Sequence, residues 1–176
     1  SWNAHKRSSS IPNSLKISLI AISASAILTL AILVLSGSVK FIPSQIVPIT
    51  GMIAGNAMTT IGLCYRNLNS LFRDQRQQIL EKLSLGANPN QASRTILRET
   101  IKSGMQPSLD SAKTVGIVSL PGMMSGLMFA GTVPMTAIMY QIMVTFMLVA
   151  ATSISSYIAS FLAYREFYND RQQLRV

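Results

Sequence analysis

Charge is scarce in this chain. Of its 176 residues, 12% are Asp, Glu, Lys or Arg, against roughly 25% in an ordinary soluble domain. Acids are scarcest, at six in all: Asp74, Glu81, Glu99, Asp110, Glu166 and Asp170. With 49% hydrophobic residues and a mean hydropathy of +0.38, a soluble fold could not clothe its own surface, so the composition reads as an integral membrane protein. The single cysteine, Cys64, excludes a disulfide within the chain. The single histidine, His5, excludes a multi-histidine metal cluster. No G-x-x-x-x-G-K-[ST] phosphate loop is present: "GMIAGNAMTT" has two glycines four apart but no lysine to meet a phosphate. The chain therefore cannot hydrolyse ATP by that mechanism, and none of these residues calls for a bound cofactor.

What is present is apolar length. Four stretches are candidate spans: 17–35, 46–65, 114–130 and 135–164. The third is short and contains Pro121, which predicts a break or kink. None of the six acids lies inside a span. Lys6, Arg7 and Lys16 precede the first span, eight Lys and Arg residues fall between the second and third, and Arg165, Arg171 and Arg175 follow the fourth. Only Lys40 lies on the other side, so fourteen of the fifteen cations share one side. By the positive-inside bias that side is cytoplasmic, and both ends of the chain belong to it. The same distribution argues against nucleic acid. The net charge of +9 is spread over separate loops, without the aromatic interleaving of a single-strand binder. Trp2, Tyr65, Tyr164 and Tyr168 fall near the expected interfaces with membrane lipid.

Residues 66–110 form the one sizeable polar block. "LFRDQRQQILEKLSL" carries a partial helical stripe of Leu71, Phe72, Ile79, Leu80 and Leu83. Gly86 then offers a left-handed helix stop. Asn88 is an N-cap candidate, Pro89 fits the first helical position, and Gln91 completes an Asn-x-x-Gln capping box. A second helix is expected over 89–102, with Ala92, Ile96, Leu97 and Ile101 on one face. Two readings fit this pattern. One is a solvated loop with a helix lying on the membrane surface. The other is a docking element that offers its apolar stripe to a partner's groove.

"EKLSLGANPNQASRTILRET" is similar to the cytoplasmic coupling segment of ABC-transporter permeases. Glu81 and Gly86 match their Glu-Ala-Ala…Gly loop, while Lys82 and Leu83 replace the two alanines. "IPSQIVPITGMIAGNAM", "SAKTVG", "SLPGMMSGLMFAG" and "YQIMVTFML" resemble the FetB-type permease family. That family contains bacterial iron exporters and plant proteins linked to aluminium tolerance. The resemblance implies a separate ABC ATPase subunit that uses the ATP, two permeases in the pumping unit, and export of iron or a related metal response. It assigns the coupling role to Glu81, Gly86, Ala87, Asn88, Pro89, Ala92, Ile96 and Leu97. Family members are longer at the N-terminus by about three spans, and "SWNAHKR" looks like the cytoplasmic end of the preceding one. The chain is then the C-terminal part of a longer permease.

Several residues are candidates for transport or packing. Gly51 and Gly55, and Gly122 and Gly126, form two G-x-x-x-G pairs that let helix backbones approach closely. Packing between the chain's own helices is the reading adopted for them, with the permease homodimer as the alternative. Met135, Met139, Met143 and Met147 recur every four residues, a slowly winding stripe that advances roughly 40° per step. With Met123, Met124 and Met128 nearby, they suit flexible packing better than iron, which prefers nitrogen, oxygen or thiolate ligands. Met124, Met128, Met139 and Met143 remain metal candidates beside Asp110. The bland reading of Asp110 is an N-terminal helix residue that complements the dipole and pairs with Lys113. Pro121 either breaks the third span at a substrate cavity or makes a kink satisfied by Ser119 or a neighbouring helix. Cys64 is a reduced packing thiol.

The reading is an all-α polytopic membrane protein of one domain over 1–176. It has about four transmembrane helices and a cytoplasmic helical coupling segment, and the bacterial inner membrane is its expected location. A permease for an organic cargo such as a nucleotide sugar stays open beside iron. An ATPase-independent secondary transporter and a non-transporting scaffold also stay open.

Overall fold

Among the described residues the long apolar runs are helical, and two of the helices turn alanine and serine inward. The computed structural model describes residues 14–35, 37, 43–115, 122–169 and 173–174. Its helices are α1 (Ser14–Leu35), α2 (Pro43–Asp74), α3 (Arg76–Ser84), α4 (Pro89–Thr114), α5 (Gly122–Phe129) and α6 (Pro134–Ala163), the last continuing into a 3-10 turn at Tyr164–Phe167. Among the described residues, three stretches are long and apolar enough to cross a membrane: Leu15–Leu35, Ile46–Asp74 and Pro134–Phe167. The protein is an all-helical, polytopic membrane protein.

On α1, Ser18, Ala21 and Ser25 are buried while Leu19, Ile20, Ile27 and Leu28 face outward. That polarity is what a bilayer selects. Lipid tails are as apolar as leucine, so large side chains gain nothing by turning in, and small ones let backbones meet. α6 follows the same rule. Ala151, Ser155, Ala159 and Ala163 make a buried small-residue seam at four-residue spacing, and Ile142, Phe146 and Tyr157 point away. α6 lies centrally and packs against α1, α2, α4 and α5.

Two cores divide the bundle. One lies toward α3 and joins Ile61, Tyr65, Leu68 and Phe72 of α2 to Ile79, Ile96, Leu97 and Phe167. Phe72 and Phe167 stack there at 4.3 Å with their planes 3° apart, and the Tyr65 and Ser18 hydroxyls share a hydrogen bond of 3.0 Å. The second core joins Leu33, Ile49, Ile53, Val144, Met147 and Ala151.

The structure corrects four boundaries and packing expectations. α2 does not stop at Tyr65 but runs on to Asp74. The second helix of the polar block does not end at Lys102. It continues to Thr114, through Pro107, packed against α2 and α6. Tertiary packing overrides the weak helix preference of "SGMQPSLDSAKT". The expected span over 114–130 is not one helix among the described residues. Thr114 closes α4, and Gly122–Phe129 is a separate eight-residue helix, about 12 Å long and too short to cross alone. Pro121 and residues 116–120 lie outside the described residues. Finally, a Cβ at Gly51, Gly55, Gly122 or Gly126 would meet nothing within 4 Å. Neither glycine pair is a close contact with the described residues of this chain; the alanine and serine seam of α6 serves instead. Gly104 on α4 is a tight glycine, where a Cβ would collide with the Cys64 sulfur and lie 3.5 Å from Ser156.

Candidate substrate cavity and coupling segment

The turn between α3 and α4 is built as the sequence suggests. Gly86 has φ +87°, and its N–H donates to Leu83 O at 3.0 Å while Ala87 N–H donates to Lys82 O at 3.0 Å. This is the Schellman pattern, and the left-handed residue it needs is glycine. Asn88 caps α4, its N–H donating to Gln91 Oε1 at 3.2 Å, and Pro89 opens the helix. Glu81, Gly86 and Asn88 are exposed, and Ala87 and Pro89 are half-buried.

The rest of the expected docking stripe is elsewhere. Ala92, Ile96 and Leu97 are buried in the chain's own core. They cannot be offered to a partner's groove while that core is intact. The apolar group that the turn exposes is Leu85, 87% accessible. The sequence contains this signal, a leucine just before the helix-stop glycine, but Leu85 lies outside the helical stripes that periodicity marks. At the far end of the chain, the Ser93 and Tyr168 hydroxyls hydrogen-bond at 2.5 Å. Burial pushes the Tyr168 phenol above its ordinary range, and the Ser93 bond partly opposes this.

From the turn, α4 runs inward for 26 residues, about 39 Å. Its last two turns wall a cavity of about 430 Å³. α4 gives Pro107, Ser108, Ser111 and Thr114 to this cavity. α2 gives Met52, Asn56, Thr59 and Thr60, which share one helical face. α6 gives Gln141, Val144, Thr145 and Leu148, and the start of α5 gives Gly122 and Met123. The end of one helix and the start of the next thus meet at the cavity.

Among the described residues the lining is uncharged, and it mixes hydroxyl and carboxamide side chains with apolar ones such as Met52, Val115, Val144 and Leu148. Thr59 Oγ1 donates to Gly55 O (3.1 Å), Ser111 Oγ to Pro107 O (2.8 Å), Thr114 Oγ1 to Asp110 O (3.0 Å) and Thr145 Oγ1 to Gln141 O (2.8 Å). Asn56 Nδ2 donates to Met52 O at 2.9 Å, and Gln141 Nε2 to Thr145 Oγ1 at 3.3 Å. Gln141 is 8% exposed, and its Oε1 is buried without a hydrogen-bond partner. Asn56 and Gln141 were not among the sequence candidates. The readable signal was there: each is a carboxamide inside an apolar span, where an unpaired polar group is costly.

The metal candidates do not converge. Asp110 lies near the C-terminal end of α4, not at a helix N-terminus, so it does not complement the dipole in the expected way. It accepts from Gln106 Nε2 at 2.9 Å, pairs with Lys113 at 3.9 Å, and is exposed. Met139 is exposed, Met143 half-buried and Met147 buried. The stripe therefore winds from the surface into the second core. Met124 and Met128 are half-buried on α5. None of these lines the cavity, where the thioethers are Met52 and Met123. Among the described residues no three His, Cys, Asp or Glu side chains gather in a metal-binding group.

No solved structure matches the chain. Among curated proteins it is 59% identical over 175 residues to "Probable iron export permease protein FetB" of Escherichia coli K12, covering 99% of this chain and 68% of that one. It is 36% identical over 173 residues to "UPF0014 membrane protein STAR2" of Oryza sativa subsp. japonica, covering 98% of this chain and 61% of that one. It is 34% identical over 174 residues to "Protein ALUMINUM SENSITIVE 3" of Arabidopsis thaliana, covering 99% and 64%. The chain thus spans roughly two thirds of the length of these relatives. The profile of the Uncharacterised protein family (UPF0014) matches residues 1–168, and with relatives this similar over nearly its whole length the chain belongs to that family.

Proposed function

We propose that this chain is the membrane-spanning part of an ABC permease that exports iron, driven by ATP hydrolysis in a separate ATPase subunit. The observation that carries the reading is α4, which runs without interruption from the capped turn at Gly86–Pro89 to the wall of the cavity. A push on the turn reaches the cavity through one continuous helix. The turn ends in an exposed leucine beside Glu81 and Asn88, a small apolar knob with a polar rim that suits a groove in a partner. Iron enters through the name of the Escherichia coli relative. The charge distribution supports a multi-pass protein of the bacterial inner membrane with the turn and both chain ends in the cytoplasm. The open glycine faces on α2 and α5 suit close approach of another helix, from the remaining spans of a longer permease or from a second copy.

The test is co-expression of the full-length permease with the ATPase encoded beside its gene. A stable complex whose ATP hydrolysis in liposomes rises with ferrous iron, and not with cuprous copper or UDP-glucose, is the expected result. A folded permease that captures no ATPase refutes the coupling reading.

A further inference from the structure

A second cavity, a groove of about 740 Å³, lies between α4 and α6. Its α4 wall carries Arg94, Arg98 and Ile101, and its α6 wall carries Tyr157 and Phe161. Both arginines and Tyr157 are exposed. Two guanidinium groups one turn apart on a helix repel each other. Among the described residues neither arginine pairs with a carboxylate, and no acid lines the groove. Glu99, next to Arg98 in sequence, lines a different depression with Lys102. A third guanidinium, that of Arg165, lies over the Phe161 ring, 5.4 Å from its centroid. Positive charge is thus gathered at one groove and left without a counter-charge there.

The other wall sets a second condition on the occupant. Tyr157 and Phe161 stack at 5.9 Å with their planes 9° apart. Tyr157 also heads an exposed stripe on α6. Phe146, Ala150 and Tyr157 are all exposed, and at about 100° per residue they fall within about 40° of one another. From Phe146 to Tyr157 is about 16 Å along the helix, close to half of a hydrocarbon core about 30 Å thick. α6 carries no charge before Arg165, one turn beyond Phe161, so the groove sits where apolar surface gives way to charge. A soluble anion would satisfy the arginines and leave the aromatic wall and the stripe bare. An acidic protein segment would fit the arginines but not an apolar stripe that runs into the span. A molecule with an anionic head and an apolar tail one leaflet long matches both walls.

We infer that the α4–α6 groove holds an anionic phospholipid of the cytoplasmic leaflet. Its phosphate is held by Arg94 and Arg98, its glycerol region lies against Tyr157 and Phe161, and its acyl chains follow Ala150 and Phe146. Guanidinium groups match phosphate with paired, charge-assisted N–H donors, and basic pockets between helices at this level suit anionic headgroups. The lipid bridges α4 to α6 on the stretch of α4 that joins the turn to the substrate cavity. The inference takes from the proposed function only the cytoplasmic side of the turn, and neither the cargo nor the ATPase.

The experiment uses full-length permease in phosphatidylcholine nanodiscs that contain a photoactivatable phosphatidylglycerol. Labelled peptides are identified by mass spectrometry. The expected result is labelling concentrated at residues 150–161, competed by unlabelled phosphatidylglycerol and not by phosphatidylethanolamine. Replacing both arginines, by Arg94→Gln with Arg98→Gln, should raise the phosphatidylglycerol needed for half-maximal labelling roughly 25-fold, about fivefold per arginine. Lys102→Gln, which removes a cation from another face of α4, should leave it unchanged. Arg98→Gln alone, with a roughly fivefold effect, is the variant used if the double one does not fold. Labelling indifferent to headgroup, an equal loss in Lys102→Gln, or competition by inorganic phosphate as effective as by the lipid overturns the inference. So does a groove that stays unlabelled because another part of the longer permease covers it. A double variant that keeps its lipid labelling but loses ATPase capture assigns the arginines to an acidic partner segment and overturns it as well. The two proposals fail separately. Selective labelling in a permease that captures no ATPase supports the lipid site and refutes only the coupling reading. An iron-stimulated ATPase complex whose groove ignores headgroup charge refutes only the lipid site.

Discussion

Replacing Gly104 by alanine tests whether α4 is clamped as tightly as the geometry says. Gly104 is buried between α2 and α6. An added Cβ would overlap the Cys64 sulfur, while Ser156 Cβ at 3.5 Å and Thr60 Cγ2 at 3.6 Å would be ordinary contacts. Overpacking of this kind costs typically about 1–3 kcal/mol. In the opposite direction, alanine is favoured over glycine inside a helix by about 1 kcal/mol. The net is a loss of roughly 0–2 kcal/mol, or a fall of up to about 8 °C in the unfolding midpoint for a chain near this size. In a Cys64→Ala background the sulfur is gone and only the helix gain remains, so the same Gly104→Ala change should raise the midpoint by a few degrees. The assay is the fraction of detergent-purified protein that stays monodisperse after heating, measured for the four members of the cycle. The sign reversal is the signature, because two residues in contact are coupled and distant ones add. An equal shift in both backgrounds means that Cys64 does not exclude the methyl group, and the close approach of α4 to α2 is refuted.

Leu85→Glu should leave the permease folded and lower the ATPase activity of the complex at least several-fold, since Leu85 is 87% accessible and contributes to neither core; unchanged stimulation refutes docking through the turn. Leu97→Glu should instead reduce the yield of folded protein, because a carboxylate at this buried core position has no partner; normal thermal stability of that variant contradicts the packing. Gly86→Val places a β-branched residue at φ +87°, costing about 1–2 kcal/mol, and should weaken ATPase capture more than it lowers the midpoint of the isolated permease. Met139, Met143 and Met147 replaced together by leucine should leave ferrous iron binding unchanged, because none of the three lines the cavity; a folded triple variant that no longer binds iron puts the site on α6's outer stripe.

The sequence was legible where a local rule acts alone. Gly86, Asn88, Pro89 and Gln91 specify a helix stop and a helix start within six residues, and the structure forms both. Apolar length located three of the spans. Legibility failed where two patterns competed. G-x-x-x-G is the better-known spacing, yet the glycines are open, and the seam that packs is Ala151, Ser155, Ala159 and Ala163. Any small residue serves where backbones must meet, and α6 offers four in a row at the right interval. Read locally, Ser103, Gly104 and Pro107 are poor helix formers and set the expected end of α4 at Lys102. In the fold, Gly104 is the residue that lets α4 sit against Cys64, so its weak propensity accompanies a packing role. The cavity could not be read at all from spacing within one helix. Asn56 and Gln141 are eighty-five positions apart, and only the contact of α2 with α6 brings them to one wall.

That separation bears on how the protein could work. The Gly86–Pro89 turn and the cavity are joined by α4 and by nothing else so direct, and α4 is pinned at two levels. Near the turn, Ala92, Ile96 and Leu97 hold it in the core around Phe72 and Phe167. Midway, Gly104 holds it against α2 and Ser156 of α6. Past that point the inner face changes from packed to polar. Pro107 removes one backbone donor there, and Ser108, Ser111 and Thr114 face open space rather than side chains. A helix clamped over its first half and loosely walled over its second bends at the boundary when the clamped half is driven from the turn. The pivot is then Gly104–Pro107, and the moving surface is the wall that carries Ser111 and Thr114. Stiffening the boundary by Pro107→Ala restores the missing donor and should slow transport without weakening ATPase capture. Faster transport from that variant would mean that the helix moves as one rod and that the hinge lies elsewhere.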